Sequence, residues 1–194
     1  MKVLSKIKTP LIITFLAVLA VSYYFYLSNR DVGQKNENKE ETAVSKLINR
    51  DLDLNYPSTE REVMIYYSDI LKVLYKGELT EDELIGLAQH IRGLFDDELL
   101  ECNPYDTYIS DLKEEVEYYK SNDRYVSDYI VEDYNDTVHQ TLNGKKYTKI
   151  DVKYFVREGK KLIYTYEEFT LRKDEDGKWK ILFWTLTEDK NIGE

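Results

Sequence analysis

The sequence predicts an α+β domain, three helices packed on a curved antiparallel sheet, carried behind one N-terminal transmembrane helix. Three observations predict it. Residues 10–27 form a charge-free apolar run. Apolar residues recur at three- and four-residue spacing between 58 and 119, as on a helix with one buried face. From Arg124 onward the spacing drops to two, punctuated by Asn-Gly and glycine turns. Helices grouped before strands imply an antiparallel sheet with its helices on one side.

The apolar run reads PLIITFLAVLAVSYYFYL. Eighteen helical residues span roughly 27 Å, close to the thickness of a hydrocarbon core. Lys2, Lys6 and Lys8 precede it within residues 1–9, and an acidic stretch follows, so the lysine excess places the N-terminus in the cytoplasm and the rest outside the cell membrane. Tyr23, Tyr24, Phe25 and Tyr26 suit the outer interface. A cleaved signal peptide, with Val18-Leu19-Ala20 near the cut, is the competing reading, and the length of the run favours retention. No cysteine stands just after the run, which excludes a lipoprotein anchor, and the single Cys102 cannot form an intramolecular disulfide.

Residues 28–55 read as a polar linker and lead-in, 56–188 as the extracytoplasmic domain and 189–194 as a tail. The first helix opens at Ser58-Thr59, where Thr59 and Glu62 have capping-box spacing, and buries Val63, Tyr66, Tyr67, Ile70, Leu71 and Leu74. Thr80 and Glu83 repeat the box ahead of Leu84, Leu87, Ala88, Ile91, Leu94 and Phe95. An extended stretch from Asp96 to Asn103 leads to Pro104 and a third helix through Tyr119, with Asp111, Glu114, Glu115 and Glu117 on its polar side. Strands follow at 124–133 and 137–142, Asn143-Gly144 makes a hairpin, and Ile150, Val152, Tyr154 and Val156 alternate with charged residues. Gly159 and Gly177 mark the last two turns.

The formal charge is −10, and the three N-terminal lysines leave −13 on the rest of the chain, which excludes a nucleic-acid partner. There is no Gly-rich phosphate loop, no GxSxG and no ligand spacing around His90 or His139, so no catalytic residue, cofactor or metal is assigned. Three residues are pocket candidates. Tyr66 and Tyr67 stand on the first helix, and Glu167 alternates in phase with Ile163, Thr165, Phe169 and Leu171. An ion pair with a lysine on an adjacent strand, or an exposed edge, is the plainer reading of Glu167. On the last strand Trp179, Ile181 and Phe183 fall on one phase and Leu182, Trp184 and Leu186 on the other. The second set is the candidate interface for a protein partner or a homodimer through the sheet face.

The element order, with GKWKILFW (177–184) as the closing strand, resembles the NTF2-like, SnoaL-like cone superfamily. More closely, YYSDILKVLYKGELTEDEL (66–84), LFDDELLECNPYDTY (94–108) and LRKDEDGKWKILFW (171–184) resemble an uncharacterised family of membrane-anchored proteins from Clostridia-type Gram-positive bacteria. The resemblance implies a cone with a pocket between sheet and helices. In the ketosteroid-isomerase-like members a tyrosine and two carboxylates work in that pocket. Here Cys102 and Asn103 stand where that group carries its aspartate base, and an amide cannot take a proton. The expected function is therefore a non-catalytic extracytoplasmic module for a protein partner or envelope component. A small-ligand pocket is the alternative, and an isomerase or dehydratase the third.

Overall fold

The computed structural model describes residues 42–133 and 137–189. The proposed anchor at 10–27, the basic residues before it and most of the linker lie outside the described residues. Among the described residues no helix is long and apolar enough to cross a membrane.

Among the described residues five helices, α1 (Ala43–Ile48), α2 (Glu60–Lys76), α3 (Glu81–Gly93), α4 (Asp97–Cys102) and α5 (Tyr105–Ser121), precede five strands, β1 (Arg124–Val131), β2 (Val138–Leu142), β3 (Lys145–Glu158), β4 (Lys161–Lys173) and β5 (Trp179–Thr187). The strands form one antiparallel sheet in the order β1-β3-β4-β5. β2 shares an edge of β3 with β1: β1 pairs with Val152–Glu158 and β2 with Lys145–Lys149. Asn143 and Gly144 both take positive φ, as a two-residue hairpin turn requires.

The sequence signals for α2 and α3 are visible as hydrogen bonds. Thr59 accepts from the Glu62 amide at 3.1 Å, while the Glu62 carboxylate reaches one residue further back, to the Ser58 amide at 2.8 Å. At α3 the Thr80–Glu83 box is reciprocal. Each cap satisfies amides that the first helical turn leaves open. Val63, Ile70 and Leu74 of α2 and Leu87, Ala88 and Ile91 of α3 are buried with Ile150 and Val152 of β3 and Phe169 and Leu171 of β4. The helices thus cover one face of the sheet. Tyr164 and Phe183, 49% and 47% exposed, stand on the opposite face.

Three expectations are corrected. First, the compact unit opens at Thr42 rather than near residue 56. Val44, Leu47, Ile48 and Leu52 pack against the core, and Gly86 of α3 lets Ile48 come so close that an added Cβ would lie 3.0 Å from it. Second, the stretch Asp96–Asn103 is mostly the helix α4. Asp96 caps it by accepting from the Glu98 amide at 3.1 Å, and Asp97 and Glu98 complement the helix dipole. Only Phe95–Asp96 is extended, and the segment is joined to β5 by Asp96 N–H to Ile181 O and Ile181 N–H to Leu94 O, both 2.8 Å.

Third, the phases of β5 are not constant. Thr170 faces Phe183 but Leu171 faces Ile181, so Leu182 is the extra residue of a β-bulge. Opposed residues of an antiparallel pair share a face. Trp184 opposes Phe169 and Leu186 opposes Glu167, so both lie on the helix side with Ile181. Phe183 opposes Thr170 on the open side. The outward strip of Leu182, Trp184 and Leu186 therefore does not form.

Candidate binding cleft

Beyond the bulge, the sheet and the helices enclose a cleft of about 330 Å³. Tyr67, Leu71 and Tyr75 of α2 line it at three- and four-residue spacing. Glu115 and Tyr119 enter from α5, four residues apart and therefore neighbours on one face. The sheet adds Tyr154 of β3, Glu167 of β4, and Trp184 and Leu186 of β5.

The aromatic groups form a packed floor and one wall. Tyr67 meets Phe169 edge to face at 5.5 Å, and Trp184 stacks on the same Phe169 ring at 5.8 Å and 25°. Tyr75 and Tyr119 stack at 4.1 Å and 22°. The Arg124 guanidinium lies 4.8 Å from the Tyr119 ring centre and 3.8 Å from the Glu158 carboxylate. Ser68 and Tyr154 hydroxyls are 3.1 Å apart. Burial pushes the Tyr67, Tyr75 and Tyr154 hydroxyls well above the usual phenol range, so they keep their protons at neutral pH. Tyr75 donates its proton to Glu115.

Glu167 has no such partner. Among the described residues none pairs with its charge or donates to it. Burial, and then the charge of Glu115, push its pKa up to about 7. The lysine ion pair is absent because β4 keeps strict register with β3 here. Glu167 opposes Val152, and Lys149 and Glu168 pair on the other face at 2.5 Å.

A carboxyl raised in this way destabilises the fold in its ionised form. The folded state holds the proton more tightly than the unfolded state, so this group's cost is absent below about pH 4.5 and complete above about pH 7. Glu167→Gln is expected to stabilise the domain at pH 8 by on the order of 2–3 kcal/mol and to leave it nearly unchanged at pH 4.5. Urea unfolding of both proteins at the two pH values checks this. Equal midpoints at pH 8 would show that Glu167 is solvated.

Tyr66 points elsewhere. One residue along α2 from Tyr67, it contacts the lead-in rather than the cleft. Its hydroxyl lies 2.9 Å from Leu47 O and 2.8 Å from His90 Nδ1, and His90 Nε2 lies 2.8 Å from Ile48 O. Burial pushes Tyr66 up to about 12 and His90 down, so the neutral imidazole donates from Nε2 to Ile48 O, and the single Tyr66 proton is shared between Leu47 O and His90 Nδ1. This pair fastens α1 to α2 and α3. Cys102 and Asn103 do not line the cleft either: Asn103 bonds back to Leu99 O at 2.8 Å, and its carbonyl accepts from Arg92 at 2.6 Å.

The structure thus brings Tyr67, Glu167, Trp184 and Leu186 together, and leaves out Tyr66 and Leu182. Glu115, Tyr75, Tyr119 and Arg124 were not singled out from the sequence. The available signal was the Glu115–Tyr119 spacing on α5.

No curated protein matches the chain. A family model described as a domain of unknown function (DUF6715) matches residues 1–184, a span that includes the apolar run, the helices that build the cleft and β5 through Trp184, and the chain belongs to that family.

Proposed function

We propose that this chain is a single-pass membrane protein whose acidic domain stands outside the cytoplasm and holds a small ligand in the cleft around Glu167. Residues 10–27 are the anchor and the N-terminus is cytoplasmic. The domain is an NTF2-like cone from a Clostridia-type Gram-positive envelope, and its task is binding rather than turnover. The placement of a helical layer on one sheet face, with a cleft between them, supports the cone reading.

The observation that carries the proposal is the carboxyl of Glu167. It is desolvated and unpaired, and it costs stability where it stands. A group of that kind in a concave, aromatic-walled site is a recognition group awaiting its partner. A second reading rests on the open face of the sheet. Tyr164 and Phe183 are exposed there, and they suit a protein partner or a second copy of the chain.

One experiment tests both parts of the first reading. Protease added outside intact protoplasts is expected to release the domain by cutting ahead of Thr42, and native mass spectrometry of the fragment should show a bound small molecule. Protection until lysis would reverse the orientation. A released fragment that never carries a ligand would leave only the open face as the functional surface.

A further inference from the structure

Resting on that reading of the cleft, we propose that its ligand is an organic cation, an ammonium-type group carrying an apolar body. The charges facing the site decide the sign. Glu167 from β4 and Glu115 from α5 are its acids, and Arg124 from β1 is its one cation among the lining residues. Arg124 lies over the Tyr119 ring at 4.8 Å and 3.8 Å from Glu158, so its charge already faces a carboxylate, although its buried Nε has no hydrogen-bond partner among the described residues. The other titratable groups in the lining are phenols: Tyr67 and Tyr75 from α2, Tyr119 from α5 and Tyr154 from β3. These stay neutral, so no second positive charge opposes an incoming cation.

The shape of the lining agrees with the charge. Tyr75 and Trp184 border the cleft, each with one face stacked, Tyr75 on Tyr119 and Trp184 on Phe169, and an aromatic ring beside a desolvated cation attracts it. Leu71, Val126, Val156 and Leu186 supply apolar wall for a hydrocarbon body. An anion would meet two carboxylates against one guanidinium, whose charge Glu158 already faces. A neutral hydroxyl compound would use the Glu167 proton but would not answer the excess of acids over bases in the lining. The acidity of the whole domain also raises the local concentration of cations at the mouth.

The cation and the neutral compound differ in pH dependence. A cation needs ionised Glu167, so its affinity is full above about pH 7 and falls towards acid, by up to about tenfold per pH unit. A neutral ligand that accepts from the protonated carboxyl shows the reverse. The test uses the full chain in zwitterionic lipid nanodiscs, titrated with cyclohexylammonium, cyclohexanol and cyclohexanecarboxylate. Calorimetry gives the affinities, and the Trp184 indole N–H resonance reports the place.

Cyclohexylammonium is expected to shift that resonance and to bind at pH 8 at least about tenfold tighter than cyclohexanol. Glu167→Gln is expected to lose at least about tenfold while melting no lower than wild type. Preference for cyclohexanol or the carboxylate at the Trp184 site would overturn the cation assignment and leave the cleft reading standing. Undiminished cyclohexylammonium binding by Glu167→Gln would overturn the assignment as well. A Trp184 signal that no probe moves would sink the assignment and the cleft reading together.

Discussion

Replacing Arg172 with Met should lower the melting temperature by about 6–20 °C, among the largest effects expected of any polar residue here. Arg172 of β4 donates from Nε to Asp96 Oδ2 at 2.9 Å, from Nη2 to Asp96 Oδ1, and from Nη1 to Glu98 Oε1 at 2.6 Å. Asp96 is 4% exposed and also caps α4. Removing the guanidinium strands a buried carboxylate, which costs about 3–5 kcal/mol. At about 2–4 °C per kcal/mol for a domain of this size, that gives the stated range. Arg172→Lys should recover little, because an ammonium cannot form the two-pronged contact. Adding Asp96→Asn to Arg172→Met should restore part of the loss by removing the stranded charge. Thermal melts of the four proteins decide the matter. A single Arg172→Met melting within about 2 °C of wild type would show that the pair is solvated and that the α4 connection is held by its backbone bonds alone.

The two tryptophans should separate cleanly. Trp179 is 6% exposed, sits beneath Lys173 at 5.3 Å and passes its carbonyl to the Tyr56 hydroxyl at 2.8 Å. Trp179→Ala should cost about 3–5 kcal/mol, the range for large core truncations. Trp184 is 38% exposed and touches the fold chiefly through the Phe169 and Phe95 rings. Trp184→Ala should shift the melting temperature far less, while abolishing binding in the cleft it borders. Chemical denaturation gives the first quantity and titration with cyclohexylammonium the second. The opposite ranking of stabilities would mean that Trp184 is core and that the bulge is absent in solution.

That contrast shows where the sequence is informative. The faces of α2 and α3 were legible because their apolar residues follow one period and their starts carry Thr–Glu caps. The β2–β3 hairpin was legible because Asn143-Gly144 has few conformational alternatives. Glu167 was legible as a face-sharing residue because β3 and β4 pair without a slip from Tyr147 to Glu158. β5 was not legible in the same way. In WKILFWTL apolar residues occupy both phases, so alternation carries no information about which side is inward, and a one-residue bulge leaves no mark. The docking of Leu94–Asp96 along β5 is a tertiary event that holds Ile181 in place. α4 and α1, six residues each, are too short to display a period. Glu115 was hidden by its acidic neighbours on α5. Only the approach of β4 distinguishes it from Glu114 and Glu117.

The extra residue at Leu182 also acts as a reading frame for the end of the chain. Upstream of it the inward residues of β5 are odd-numbered, and downstream they are even-numbered. Pairing that position instead, so that Leu182 opposed Thr170, would make a regular strand and swap the contents of the two faces: Phe183 and its successors would rotate into the cleft, and Trp184 and Leu186 out of it. No wall residue would have changed identity, yet the carboxyl of Glu167 would face a different set of side chains. Relatives of this chain are therefore comparable at the site when a one-residue gap is placed at Leu182, because its loss leaves Phe183 against Thr170 and Trp184 against Phe169. A relative one residue shorter there would carry the same cleft wall on a regular strand.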